Sequence, residues 1–234
     1  MGLRNWLAVL VLGLAATLSA QRRAAPVTGA PFSAEEVTER VQTLPDGTHL
    51  THTSTVMIYR DSQGRTRREP QHAGALPAII GILDPVAHVR YLVNPRLKTV
   101  SKYTLSPRQG LPMQRSAGGP MARPTESPDA KTPRRSTEDL GTETMEGLLV
   151  TGTRRTVRWP AGSRLGNDRP VTTTEETWVS PDLQEVVLSK RTDPERGNST
   201  RKLINISRAE PDPSLFQPPP DYRIVEDNGE VFPH

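Results

Sequence analysis

The five histidines are the first residues to weigh for chemistry: His49, His52, His72, His88 and His234. The pair in "THLTHT" would face one metal ion only on a helix. On an extended chain, residues three apart point to opposite faces, and the β-branched surroundings favour extension. Two imidazoles so placed do not make a tetrahedral site, so no metal and no cofactor are expected.

Nucleophilic chemistry has no better footing. The chain has no cysteine and no G-x-S-x-G elbow, and it lacks the S-x-x-K signature with its companions. "AGGP" and "VTGT" lack the lysine and the strand-to-helix setting of a phosphate-cradling loop. The carboxylate pairs Glu143 with Glu146 and Glu175 with Glu176 would need burial to separate their pKa values, and on polar strands they read as solubilising. The sequence therefore points away from an enzyme.

Two basic groups remain, Arg65, Arg67, Arg68 and Arg154, Arg155, Arg158. They suit either a grip on anionic headgroups or protection of strand edges. The formal charge of +4, from 30 basic and 26 acidic residues, is too small to argue for nucleic acid, and no run alternates basic with aromatic residues. Asn198-Ser199-Thr200 and Asn205-Ile206-Ser207 match the glycosylation acceptor pattern, which matters only in a host with that machinery.

The elements that would carry these residues are strands. "PDG" at Pro45 to Gly47 is a turn followed by a β-branched run from Thr48 to Tyr59, in which Leu50, Val56 and Ile58 share one parity. Before it, Ser33 and Glu36 have capping-box spacing, while Val37, Glu39, Val41 and Thr43 alternate. A short helix and a strand both fit, and the hairpin is the preferred reading. Arg65 to Glu69 follow as a polar edge strand. Asp84-Pro85 and Asn94-Pro95 then punctuate three more strands, Ile79 to Leu83, His88 to Val93 and Lys98 to Leu105.

Residues 106–137 hold six prolines in 32 residues and few large apolar groups. Such a segment cannot offset the entropy of ordering its backbone, and it reads as a disordered insert, either within one β domain or linking two. Strands resume with a bend at Gly147 and with Thr172 to Val179, Glu185 to Thr192 and Thr200 to Ser207. Within "EVVLSKRTDPERGNSTRKLINIS", Val186 and Leu188 share a parity, as do Ile204 and Ile206. Asp212 precedes Pro213 in the pattern of a capped turn, directing Leu215 and Phe216 back to the sheet, with Tyr222 and Ile224 closing one end of the core.

The N-terminus has the charged, apolar and small-residue order of a secretory signal peptide over residues 1–20. Its greasiest part is shorter than the roughly 20 residues of a membrane span. Residues 21–31 follow as a flexible lead-in, residues 32–105 and 138–226 as two halves of a β domain, and residues 227–234 as a tail. An exported chain without cysteine must rely on its core alone.

The stretches "TETMEG", "TWVSPDLQEVVLS", "LINI" and "PDPSLFQPPPDY" resemble uncharacterised secreted bacterial proteins, Acidobacteria-like in character. Their organisation resembles the outer-membrane lipoprotein carrier (LolA-like) superfamily, with its lipoprotein-sorting and sigma-factor-regulatory periplasmic members. The resemblance implies a mainly β fold, a curved, unclosed antiparallel sheet of half-barrel character, and a non-enzymatic carrier or sensor in the periplasm or outside the cell.

On this reading the candidate ligand face is Val56, Ile58, Val186, Leu188, Ile204 and Ile206. It would take lipid or a lipidated protein in a contiguous apolar groove. The alternative is a protein-interaction or sensory domain of an envelope system, with a filled core and no groove. A hydrolase would need a histidine beside a carboxylate in a cleft.

Overall fold

The computed structural model describes residues 26–71, 78–105, 132–163 and 166–226. The signal-like segment, His72, His234, residues 106–131 of the proline-rich stretch and the tail lie outside the described residues. Among the described residues, twelve strands make one sheet in the order β12-β6-β5-β4-β3-β2-β1-β11-β10-β9-β8-β7. All neighbours are antiparallel except β12 with β6, and the sheet is open. The fold is mainly β, and among the described residues the sole helical turn is a 3-10 turn at Pro213–Phe216.

Two meanders lie side by side. The first is β1 (Phe32–Thr43), β2 (His49–Arg60), β3 (Thr66–Gln71), β4 (Ile80–Asp84), β5 (Val89–Asn94) and β6 (Thr99–Thr104). The second is β7 (Arg134–Met145), β8 (Leu148–Trp159), β9 (Val171–Ser180), β10 (Glu185–Asp193) and β11 (Gly197–Ser207), and β11 joins the first by pairing with β1.

At Ser33 to Leu44 the alternation prevails over the capping-box spacing. β1 pairs along its whole length with β2, and a strand flanked on both sides by partners satisfies more backbone groups than a short helix. Asp46 holds the turn by accepting the Thr48 N–H. Strand β7 begins at Arg134, so residues 134–137 belong to it rather than to the proline-rich stretch.

Residues directly opposite in antiparallel pairs share a face, and the register separates two cores. Ala34, Ile58, Arg68, Gly81 and Leu92 follow one another on the first face, and Ser33, Tyr59, Arg67, Ile82 and Tyr91 on the opposite one. The larger core gathers Phe32, Ala34 and Ile58 with Leu148, Val150, Trp178, Leu183, Val187 and Leu203. The smaller one, Ile80, Ile82, Val93 and Val100, lies on the opposite face and is closed by Phe216.

The closing segment is the return crossing after β11. Glu210 accepts from the Ser62 N–H and hydroxyl in the β2–β3 turn, and Arg67 donates to the Leu215 carbonyl at 3.1 Å. Asp212 caps the 3-10 turn through the Ser214 N–H, with Pro213 at its start. The chain then ends its described course in β12 (Arg223–Glu226), parallel to β6, a pairing that nothing in the residue pattern announces. Tyr222 packs against the smaller core, whereas Ile224 is 51% exposed and closes nothing, because a strand added at the sheet edge has no layer over it.

One glycine is fixed by packing. The Trp178 ring lies over Gly152, directly opposite it on β8, where an added Cβ would sit 2.6 Å from the ring. Gly152→Ala is therefore expected to destabilise the fold by about 1–3 kcal/mol, the usual cost of overpacking. The drop in thermal midpoint should come with a changed Trp178 emission. A midpoint equal to the wild type would show that the ring moves aside freely.

Candidate functional site

Strands β10 and β11 pair only from Leu188 to Asp193 on β10. Beyond that point Glu185 and Val186 pair with β9, while Ile204 and Ser207 pair with β1, so the two ladders separate. A bulge between Val186 and Leu188 and a left-handed Asn205, φ 54°, accompany the separation. Bulges bend a strand and re-aim its side chains. Val187, Leu203 and Leu183 of the β9–β10 turn join the same core here.

These two irregularities decide the fate of the apolar face read from parity. Ile58 is in the larger core, and Val56, Leu188 and Ile206 pack against it, half-buried. Val186 and Ile204 do not join that cluster, and their neighbours Val187 and Leu203 are buried instead. Counting every second residue fails across a bulge, since one inserted residue shifts each later side chain to the other face.

Charged groups converge beside this apolar junction. Glu36 lies on the first face of β1, directly opposite Val56 on β2 and Leu203 on β11. A carboxylate in such a place must be paired. Arg68 reaches its Oε1 from β3 at 2.5 Å, and Arg201 reaches its Oε2 from β11 at 2.9 Å. The Glu36 side chain is 7% exposed, whereas those of Arg68 and Arg201 are 43% and 37% exposed.

Arg60, buried at the end of β2, is the third guanidinium. It donates from Nε to the Ala30 carbonyl at 3.0 Å and from Nη2 to the Leu183 carbonyl. It also stacks over the Phe32 ring at 4.7 Å and places Nη1 3.6 Å from Glu185 Oε2. Burial pushes the Glu185 carboxyl above its ordinary pKa, with Arg60 the strongest opposing charge, followed by Arg201 and Arg68. Burial likewise pulls the Arg60 guanidinium below its usual value, against the attraction of Glu185. Five charged groups from β1, β2, β3, β10 and β11 thus share one electrostatic neighbourhood.

The pairs singled out in the sequence are placed elsewhere. Glu176 belongs to a cross-strand row, Glu138, Arg154, Glu176 and Lys190, on β7 to β10. Arg154 bonds both glutamates at 3.1 Å. The Trp178 indole N–H donates to Glu176 at 2.8 Å and is the main reason its carboxyl lies below the usual range, ahead of Arg154 and Lys190. Glu175 points to the other face, and Glu146 sits in the β7–β8 turn. His49 bonds the Thr43 hydroxyl, and His52 lies opposite Arg40. Arg65 is tied to Asp61 at 2.5 Å and stacks on Phe216, and Arg67 bonds Glu69.

Of the converging five, the sequence points to Arg68 as a candidate binding group and to Glu36 only through its capping-box spacing with Ser33. Glu36, Arg60, Glu185 and Arg201 are far apart in the chain. The available signal was a charge in phase with apolar neighbours, as Glu36 is with Phe32 and Ala34, and Arg60 with Ile58. The arrangement offers fixed guanidinium donors, which bind and orient oxyanions. The described contacts tie both carboxylates to guanidiniums.

No protein-family model matches the chain, and no curated protein matches it. Among solved structures, it is similar to an uncharacterised conserved protein from Thermus thermophilus, with a TM-score of 0.46 and 10% identity, covering 85% of this chain and 91% of that one. A match in the MucA/MucB complex of Pseudomonas aeruginosa has a TM-score of 0.45 and 14% identity over 84% of this chain, which spans 58% of the matched chain. The LolA superfamily protein NE2245 from Nitrosomonas europaea matches with a TM-score of 0.36 and 11% identity, over 80% and 90% of the two chains. The structural neighbours also include LprF from Mycobacterium bovis, with a TM-score of 0.30 and 14% identity, and an outer-membrane lipoprotein-sorting protein domain from Vibrio parahaemolyticus, with a TM-score of 0.31 and 12% identity.

Proposed function

We propose that this chain is an exported, non-enzymatic binding module of the cell envelope that engages a partner protein through the β7 edge of its sheet. The observation that carries the reading is β7 itself. It is a 12-residue strand, exposed at nearly every position, and it ends the sheet. It pairs with β8 from Arg134 to Met145, and its other edge meets no strand among the described residues. Natural sheets keep edges short or cover them, and a long strand edge without a partner is the template for strand addition.

Side chains next to the edge supply contact area. Leu149, 59% exposed, lies directly opposite Thr144. The bulge between Asp139 and Gly141, held by the Gly141 N–H on the Asp139 carboxylate, divides the edge into two stretches. A partner strand would therefore match one stretch or carry a break of its own.

The burial of Ile58, a member of the candidate ligand face, beside Val187 and Leu203 favours this reading over an acyl carrier, for which that face would have to be open to ligand. The test is photocrosslinking in the native envelope, with a benzophenone residue at Thr142 or Thr144 and, as control, at the exposed Arg90 of β5. A discrete protein adduct from the β7 positions and none from the control is the expected result. A stoichiometric acyl lipid on the natively purified protein, with no β7 adduct, would replace the reading with the carrier.

A further inference from the structure

We propose that Arg68 and Arg201 form a binding site for a phosphate-bearing ligand, with Glu36 as the resident anion that holds the two guanidiniums in place. This site lies on the first face near the β10–β11 separation and is independent of the β7 edge. Each carboxylate oxygen of Glu36 takes one arginine, Oε1 from Arg68 and Oε2 from Arg201. A guanidinium has five N–H donors in a rigid fork, and the described contacts of each arginine use one of them. The remainder lie on side chains exposed by more than a third, above a carboxylate that is almost wholly covered.

The physical consequence is preorganisation. A surface arginine must be immobilised before it can hold a ligand, and that ordering opposes binding. Here the buried Glu36 has already ordered both, from strands on either side of it. Arg60 lies within the same neighbourhood, with its Nη1 3.6 Å from Glu185 Oε2, so a third guanidinium adds to the positive potential there. Two guanidiniums held by the two oxygens of one carboxylate keep further donors for the several oxygens of a phosphate, and charge-assisted bonds to such groups are short and strong. The phosphate can be free or can belong to a lipid headgroup, and the two sources are separable.

The experiment uses the mature full-length chain at constant ionic strength. Inorganic phosphate and phosphatidylglycerol vesicles are titrated in separate arms, with phosphatidylcholine vesicles as the uncharged control. Arg68→Gln and Arg201→Gln are each expected to weaken binding about tenfold or more, the loss that goes with one charge-assisted bond. Near-UV dichroism checks that the fold is retained, and Arg68, on the more exposed side chain, provides the second variant if Arg201→Gln fails to fold. Glu36→Gln preserves side-chain volume but releases both guanidiniums, so affinity should fall severalfold although the local positive charge rises by one, which a purely charge-driven attraction would not produce.

Binding in both arms, sensitive to the arginines, identifies a small-anion site. Binding to phosphatidylglycerol alone, equally sensitive, identifies a headgroup site. Absence of binding in both arms, or binding unchanged in both arginine variants, overturns the proposal.

Discussion

Arg60→Ala is expected to lower the unfolding free energy by about 3–5 kcal/mol at neutral pH, the range found when one partner of a buried ion pair is removed. The substitution strips a donor from the Ala30 and Leu183 carbonyls, uncovers the Phe32 ring and leaves Glu185 without its principal counter-charge. Denaturant unfolding measures the loss. The partner substitution separates charge from packing. In Arg60→Ala/Glu185→Gln the buried carboxylate is gone, so part of the lost stability should return. A double variant no more stable than the single one would mean that packing of the Arg60 stem, rather than the stranded charge, sets the cost.

The pH dependence follows with a definite sign. Burial holds the Glu185 carboxyl above its ordinary value of 4.5, so between 4.5 and its raised folded value the native state binds more protons than the unfolded state. Stability from this group is then fully present at low pH and is lost as pH rises through that window. Removing Arg60 takes away the largest charge opposing the shift, so the window widens upward and the deficit of Arg60→Ala relative to the wild type should grow from pH 4 towards pH 7. A deficit independent of pH would show that Glu185 is protonated throughout or solvated in the variant. Comparing the two proteins at each pH removes the opposite slopes of Glu176 and Asp193, whose carboxyls are held low in both.

How much of this was legible depends on whether the governing interaction is local. Hairpins β1–β2, β4–β5 and β10–β11 could be read because their turns carry local chemistry. Asp46, Asp84 and Asp193 each accept backbone N–H groups in the turn that their Pro or Gly neighbours announce. The capped turn at Asp212 was legible for the same reason. What could not be read is whatever depends on non-adjacent strands: the β1–β11 seam, the parallel β12, and the placement of two cores on opposite faces.

The candidate ligand face shows the boundary clearly. Val56 and Ile58 lie on an uninterrupted stretch of β2, and parity places both against the larger core. Val186 and Ile204 lie beside a bulge and a left-handed residue, which no Gly or Pro marks, and parity misassigns them. The charged cluster was illegible for a related reason. Glu36, Arg68 and Arg201 come together only because β1 lies between β11 and the β2–β3 pair.

Phe216→Ala tests whether the two opposed cores form one cooperative unit, and the expected loss is about 3–5 kcal/mol for a buried phenylalanine. Phe216 is the lid of the smaller core, over Ile82, Val93 and Val100, and its ring also receives the Arg65 guanidinium at 5.1 Å. Trp178 is a distant reporter, since it belongs to the larger core on the other side of the sheet. The two cores share a backbone, because on β2 Ile58 faces the larger core while the adjacent Tyr59 packs against the smaller one. If β2 transmits the loss, Trp178 fluorescence and far-ultraviolet dichroism will shift to the same lower denaturant midpoint. If the fluorescence midpoint stays at the wild-type value while part of the dichroism is lost earlier, β4 to β6 melt by themselves. The continuous hydrogen bonding from β3 through β2 and β1 to β11 favours the first result, since separating the cores would require breaking a ladder in the middle of the sheet.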